Sequence, residues 1–262
     1  MPQRSHQRST ARQAGTARRL GVALMMGGLC AALAPGVQTA HAESRAKVTD
    51  ERSTKRKTQE KSGSGGCRLQ RAQNFLKRPN FVKGGMLQGR RHQRALEYRV
   101  EQYGWVEGLG MESLNAKPAI AHAKAARFLG LPLSVHEKVV PALRCVEKRI
   151  IKTCNKSDSR YVPHAVGGFR QGNTYRGGEV SNHLFGIAID IDPDKNPCCG
   201  CVKPWPEHPL CKDPSRTIYE KTSLTRCWIR AFERYGFYWL GRDELEDTMH
   251  FEFLGDPERI EP

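Results

Sequence analysis

The chain is poor in acidic residues and lacks an apolar run long enough to cross a membrane. Its 27 Asp and Glu residues face 43 Lys and Arg residues, which gives a formal net charge of +16 over 262 residues. The apolar run at residues 20–35 is shorter than the roughly 20 residues of a membrane-spanning helix. The sequence contains no zinc-finger or RNA-binding motif, and the aspartates at 190, 192 and 194 lack the glycine and final glutamate of an EF-hand loop. These absences argue against a membrane anchor, a nucleic-acid-binding module and an EF-hand.

The first 42 residues contain five arginines and no acidic side chain. The arginine pair at 18 and 19 precedes the apolar run, and the small-residue sequence Ala40-His41-Ala42 follows it. This order predicts a signal peptide over residues 1–42, cleaved before Glu43. We therefore expect an exported protein, periplasmic or extracellular, without membrane attachment after processing.

Two basic segments follow the predicted signal peptide. Residues 43–66 combine Lys, Arg, Ser, Thr and Gly with hardly any apolar side chain, which predicts a disordered basic linker. Residues 67–155 are expected to form a basic N-terminal and helical portion, in which nine basic residues of the segment 67–100 face Glu97 alone. This charge indicates either a solvated face or a surface for a polyanion. Export favours an anionic cell-wall polymer over nucleic acid as the partner.

Eight cysteines lie after the predicted signal peptide, and four of them cluster within residues 198–211. Clustered thiols are typical of a structural zinc site in a cytosolic protein, whereas in an exported protein they are typical of disulfides. We therefore expect disulfide bonds, with a second zinc site in 198–211 as the alternative.

Apolar periodicity predicts the regular elements outside the candidate site. The sequence from Ser134 to Glu137 has the form of a capping box, and apolar residues continue at helical spacing to about Thr153. A second helix is expected over residues 223–235, followed at once by a strand. Glycines interrupt residues 96–110, which indicates strand or loop, and residues 161–170 indicate a strand.

The segment 186–192 alternates between apolar and polar side chains and predicts a strand. One face carries three isoleucines, Ile187, Ile189 and Ile191. The other face carries Ala188, Asp190 and Asp192. Because unpaired carboxylates resist burial, we expect a positive group to face these aspartates.

The segment 247–253, near the C-terminus, also alternates between apolar and polar side chains. Alternation sends Phe251 and Phe253 into the core and leaves His250 and Glu252 on the opposite face, with Asp247 in the approach to the strand. Two strands can thus present imidazole and carboxylate groups to the same place.

A zinc site follows from combining the two strands. The expected ligands are His183, Asp190 and His250. Two nitrogens and one oxygen leave the fourth tetrahedral position open, which is the pattern of a catalytic zinc site. Asp247 would then be a spare carboxylate beside the reacting water.

The spacing of these residues resembles that of the zinc D-alanyl-D-alanine carboxypeptidase family. The shared features are a Ser-x-His motif, an aspartate after six further residues, and a downstream Asp-x-x-His-Phe-Glu motif. That family includes the vancomycin-resistance carboxypeptidases and dipeptidases and the phage L-alanyl-D-glutamate endolysins, and it shares its fold with the hedgehog signalling domain. The resemblance implies that His183, Asp190 and His250 bind one zinc ion. It also implies that Asp247 is the general base, where many members have glutamate and the endolysin-like branch has aspartate.

The resemblance extends upstream to the sequence Gly167-Gly168-Phe169-Arg170. It resembles the family's strand whose arginine touches the substrate and the developing oxyanion. The resemblance thus implies catalytic and substrate-binding roles for Arg170. Ser181 is expected either to contact substrate or to turn the chain.

These observations predict an α+β fold, a small, mainly antiparallel sheet with helices on one side, similar to the hedgehog/DD-peptidase fold. Residues 156–262 are expected to form the zinc peptidase core. The expected function is that of a secreted zinc metallopeptidase that hydrolyses peptidoglycan stem peptides. D-Ala-D-Ala carboxypeptidase activity is the first candidate. The alternatives are an L-Ala-D-Glu-type endopeptidase, a zinc-stabilised wall-binding module without catalysis, and a disulfide-rich wall-binding protein in which the histidines are incidental.

Overall fold

The computed structural model of the chain describes residues 67–154, 160–175, 177–202 and 204–260. The predicted signal peptide and linker lie outside these residues, as does the start of the predicted peptidase core. Those boundaries therefore stay predictions. All described residues belong to one structural unit.

Helices and short strands alternate irregularly along this unit. There are three described α-helices: α1 (Gly89–Tyr103), α2 (Val140–Thr153) and α3 (Arg226–Glu233). The described strands are β1 (Val82–Lys83), β2 (Met86–Leu87), β3 (Ala123–Phe128), β4 (Leu131–His136), β5 (Val166–Gly167), β6 (Ala188–Ile191), β7 (Phe237–Trp239) and β8 (His250–Phe253). Strands β1 and β2 form one antiparallel hairpin, and β3 and β4 form another.

The central sheet has four antiparallel strands in the order β5-β6-β8-β7. Its apolar face contains the isoleucines of 187–191, which are at most 1% exposed, together with Phe251 and Phe253. Helix α3 covers this face, since Phe232 stacks on Phe251 with 4.1 Å between ring centroids. Phe128 of β3 packs on Phe232 and extends the same core. The predicted α+β class with a small antiparallel sheet is thus confirmed.

Three local predictions need correction. The stretch 96–110 was expected to be strand or loop, but helix α1 occupies it as far as Tyr103. The glycines of this stretch do not interrupt the helix, because they lie at its C-cap, Gly104, and beyond. The capping-box prediction is wrong, because Ser134 lies in β4 opposite Ala125 and helix α2 begins only at Val140. The expected strand over 161–170 is reduced to β5 (Val166–Gly167).

Four disulfide bonds confirm the expectation for the cysteines. Two bonds join distant parts of the chain, Cys67–Cys145 and Cys154–Cys227, and two lie within one loop, Cys198–Cys201 and Cys199–Cys211. Because all four cysteines of 198–211 are paired in disulfides, the structure favours the disulfide expectation there over a second zinc site. Among the described residues, no helix is long and apolar enough to traverse a bilayer.

Candidate active site

The pairing of β6 with β8 brings an aspartate and a histidine side by side. Asp190 and His250 are direct cross-strand partners, and the preceding partners are Ile189 and Phe251. Because side chains alternate along a strand, the apolar pair faces the core and the polar pair faces the opposite side. His250 Nδ1 lies 2.8 Å from Asp190 Oδ1.

His183 reaches the same point from a short turn, Asn182–Phe185, that precedes β6. Gly186 ends this turn with a φ of +67°, a conformation that favours glycine, and an added Cβ there would lie 2.8 Å from the backbone nitrogen of His136. His183 Nε2 lies 3.0 Å from Asp190 Oδ2 and 3.1 Å from His250 Nδ1. The structure therefore brings together all three predicted metal ligands.

Two neighbouring groups orient the imidazoles. His183 Nδ1 donates to the carbonyl oxygen of Gly168 at 2.6 Å, and His250 Nε2 contacts Glu252 Oε1 at 3.2 Å. Protons on these outer nitrogens leave His183 Nε2 and His250 Nδ1 with lone pairs that face Asp190. Strand alternation predicted the side on which Glu252 lies but not this role. The Gly167-Gly168 pair indicated a close approach of the backbone to a ligand or partner, but not that His183 is the partner.

The charges at this point favour a bound cation. Burial acts to raise the pKa of Asp190, but His183 and His250 hold it well below its usual range. Burial acts to lower the pKa of His250, but Asp190 and Glu252 raise it well above its ordinary value. Three acceptor atoms that converge in a buried place are stabilised by a positive charge between them, either a proton or a metal ion. The two imidazole nitrogens and one carboxylate are a donor set that suits zinc.

Asp247 lies on the turn that enters β8. The backbone N–H of His250 donates to the Asp247 carbonyl at 3.4 Å, and Cys198 pairs with Asp247 through an isolated antiparallel bridge. Its carboxylate atom Oδ1 is buried without a hydrogen-bond partner among the described residues. Burial raises the pKa of Asp247 to about 7, although the charge of His250 acts in the opposite direction. A carboxylate of this kind is suited to accept and release a proton near neutral pH.

Arg170 extends its guanidinium towards the predicted ligands. Its Nη1 lies 3.9 Å from Asp190 Oδ2, and its Nη2 donates to Thr174 Oγ1 at 3.0 Å and to Ser181 Oγ at 3.4 Å. Ser181 is fully buried, and its hydroxyl also accepts the backbone N–H of His183 as a cap of the Asn182–Phe185 turn. Ser181 therefore turns the chain and holds Arg170, while its contact with substrate stays a prediction.

Asp192 does not join the candidate site. It has a φ of +41°, and β6 ends one residue earlier. Its carboxylate accepts hydrogen bonds from the Tyr161 hydroxyl at 2.5 Å and from the backbone nitrogens of His164 and Ala165 at 2.8 and 2.6 Å. The prediction of two carboxylates on one strand face is thus confirmed for Asp190 and wrong for Asp192.

Comparison with protein families gives a match to part of the chain. A family model described as D-alanyl-D-alanine carboxypeptidase matches residues 175–253. The matched segment contains the three predicted metal ligands and Asp247, and it begins after Arg170. No curated protein and no solved structure matches the chain. Residues 175–253 are therefore similar to carboxypeptidase-type metallopeptidases, and the site described above lies almost entirely within that similarity.

Proposed function

We propose that this chain is a secreted zinc metallopeptidase that hydrolyses peptidoglycan stem peptides, with removal of the terminal residue of a D-Ala-D-Ala end as its first candidate reaction. The observation that carries this proposal is the convergence of His183 Nε2, His250 Nδ1 and Asp190 within 2.8 to 3.1 Å of one another. Asp247 and Arg170 lie beside these groups, and the match to the carboxypeptidase family supports the same reaction class.

The chain's own residues supply the rest of the chemistry. A zinc ion held by His183, Asp190 and His250 would lower the pKa of a water molecule and polarise the scissile carbonyl. Asp247 would accept a proton from the attacking water through its unpartnered oxygen and later donate it to the leaving amine. The Arg170 guanidinium would stabilise the negative charge that develops on the carbonyl oxygen. Thr174 and Ser181 would hold that guanidinium in place before substrate arrives.

An endopeptidase of the L-Ala-D-Glu type is the second candidate. The aspartate at position 247 favours it, because the endolysin-like branch of the resembling family has aspartate where many carboxypeptidases have glutamate. The two reactions use the same catalytic groups and differ in the position of the scissile bond within the stem peptide.

The four disulfide bonds support export.

The basic segment 67–100 is the proposed surface for an anionic cell-wall polymer. Lys83, Arg90, Arg91 and Arg94 are exposed on the β1–β2 hairpin and on the first turns of α1. Because contacts between charged polymers weaken with salt, we expect the mature protein to sediment with anionic cell walls at low ionic strength. Replacement of Arg90, Arg91 and Arg94 by glutamine should abolish sedimentation, whereas persistent binding would contradict this surface.

Zinc analysis and product analysis together test the proposed function. Purified mature protein should contain one zinc ion per chain and should release D-alanine from muropeptides that end in D-Ala-D-Ala, as measured by mass spectrometry. Products cut between L-Ala and D-Glu would identify the endopeptidase instead. Bound zinc without turnover would identify a non-catalytic module, and absence of both would overturn the zinc peptidase proposal.

A further inference from the structure

Arg78 is a buried arginine that lies before the segment matched by the carboxypeptidase family. It begins a short 3-10 turn, Arg78–Asn80, and is 7% exposed. Its partners are 101 and 165 residues away in the chain. They belong to two loops of the candidate site, which we name the Arg170 loop (residues 170–175 and 177–181) and the Asp247 loop (residues 240–247).

The guanidinium of Arg78 bridges two carboxylates. Its Nε and Nη2 donate to the two oxygens of Glu179 at 2.7 and 3.3 Å, and its Nη1 donates to Asp243 Oδ1 at 2.5 Å. Glu179 and Asp243 are 8% and 4% exposed, so these ion pairs are poorly screened by solvent. A planar guanidinium sets both the separation and the orientation of the two acids, which a lysine ammonium does not.

A chain of hydrogen bonds connects Glu179 to Arg170. The side-chain amide of Asn173 donates to the Glu179 carbonyl at 2.8 Å, and its Oδ1 accepts the backbone N–H of Ser181 at 3.2 Å. The Ser181 hydroxyl in turn accepts from Arg170 at 3.4 Å. The ion pair at Glu179 thus anchors the loop that carries the proposed oxyanion contact.

Hydrogen bonds to Asp243 hold the turn that leads to Asp247. Its Oδ1 also accepts the backbone N–H of Leu245 at 3.1 Å, and its carbonyl accepts the backbone N–H of Glu246 at 2.9 Å. These bonds form the turn immediately before Asp247. The ion pair at Asp243 thus anchors the loop that carries the proposed base.

We propose that Arg78 is a positioning residue that holds the Arg170 loop and the Asp247 loop at a fixed separation, so that Arg170 and Asp247 face the same peptide bond; this inference rests on the proposed function. Burial raises the pKa of both Glu179 and Asp243, and Arg78 opposes that effect. Without the arginine, the two carboxylates would take up protons or separate, and each loop would lose its anchor.

The test compares three variants of the full mature protein loaded with zinc. Arg78→Met removes the charge and the hydrogen bonds at similar length, and Arg78→Lys keeps the charge without the planar fork. Lys138→Met is the control, because it removes the partner of the exposed Glu258, 3.0 Å away, and both residues lie outside the two loops. For each variant we would measure kcat, KM, zinc content and amide hydrogen exchange across both loops.

For Arg78→Met we expect kcat/KM to fall by about 100-fold, mostly in kcat, because small displacements of positioned groups cost that much. Zinc content should match that of the wild type, and exchange should accelerate in both loops. Arg78→Lys should lie between these values, and Lys138→Met should equal the wild type. If Arg78→Met does not fold, the triple variant R78M/E179Q/D243N removes the buried charges together and should fold with the same loss of kcat.

Wild-type kcat/KM and wild-type loop exchange in folded R78M, or in the triple variant, would overturn the positioning role. Failure of the proposed function looks different. In that case the wild type itself would cleave no stem peptide. Faster amide exchange confined to the two loops of R78M would still show that Arg78 anchors these loops. Unchanged exchange would refute that role.

Discussion

Asp247 and Asp192 are two buried aspartates with opposite surroundings. The Asp192 carboxylate receives three hydrogen bonds, which hold its pKa below the usual range although burial acts to raise it. Asp247 has a buried oxygen that finds no hydrogen-bond partner in the described part of the chain, and its pKa is raised. Because hydrogen bonds stabilise the ionised form and burial destabilises it, Asp192 suits a structural role and Asp247 suits proton transfer.

Replacement of Asp247 by asparagine should separate these roles. We expect kcat to fall by about 100- to 10,000-fold, because general-base catalysis is lost. Zinc content should be unchanged, since the three predicted ligands remain, and this is measurable by atomic emission. Asp192→Asn is the matched control: it should keep kcat and lower the free energy of unfolding by about 1–3 kcal/mol. Unaltered turnover in the Asp247 variant would refute its assignment as base.

Glu252 orients His250 and should therefore control metal affinity. We expect Glu252→Gln to weaken zinc binding by about 10- to 100-fold, because a neutral amide is a poorer acceptor for the outer imidazole nitrogen. Competition with a chromophoric chelator measures this affinity. Glu258→Gln, at an exposed glutamate paired with Lys138, is the control and should bind zinc like the wild type. Equal affinities in both variants would contradict the orienting role.

At the scale of elements, the connection from β5 to Arg170 supplies the carbonyl group that orients the His183 side chain. Gly168 lies where this connection crosses β4, and a Cβ there would come within 2.1 Å of the Ser134 carbonyl oxygen. The next residue, Phe169, donates its backbone N–H to that same carbonyl at 2.6 Å. Only glycine lets the backbone approach this closely while its own carbonyl accepts from His183.

Gly168→Ala should therefore disturb both the fold and the metal site. We expect the free energy of unfolding to fall by about 1–3 kcal/mol through overpacking. Zinc affinity should also fall, because the Gly168 carbonyl moves away from His183 Nδ1. Gly172→Ala is the control, since a Cβ there meets no atom of the described residues within 4 Å. Denaturant titration and chelator competition on both variants would decide the point, and equal values would contradict the close approach.

At the scale of the whole molecule, one long-range disulfide closes the N-terminal portion 67–155 on itself and another joins it to the rest. Cys67–Cys145 links the first described residue to α2, and Cys154–Cys227 links the end of α2 to α3. Arg78 adds a buried ionic link from the same N-terminal portion to the two loops of the site. The portion of the chain before the family match is thus linked to the matched segment by a disulfide and by buried ion pairs.

Removal of the long-range disulfide should cost more stability than removal of a short one. Cys67 and Cys145 are separated by 78 residues, whereas Cys199 and Cys211 are separated by 12. Loop-closure entropy predicts losses of about 4–5 kcal/mol for C67A/C145A and about 3 kcal/mol for C199A/C211A. Urea denaturation of the two double variants tests this order, and a reversed order would show that native-state contacts outweigh chain entropy.

The sequence by itself determined which residues form the candidate site and which strands carry them. Alternation with period two was enough to place Asp190 and His250 on the polar faces of β6 and β8, because one-residue shifts would have buried carboxylates and exposed isoleucines. Cysteine number and predicted export were likewise enough to expect disulfides. These features depend on local pattern and composition, which the chain carries directly.

Only the tertiary structure decided which groups support that chemistry. The carbonyl of Gly168, the anchoring role of Arg78 and the diversion of Asp192 all depend on contacts between residues far apart in sequence, for which the chain has no local signal. Likewise, Ser134 formed a strand although its local sequence favours a helix cap, because pairing with β3 in the hairpin satisfies its backbone and outweighs a weak local preference. Long-range contacts therefore decided the element boundaries and the groups that support the candidate site, while local pattern decided its predicted metal ligands.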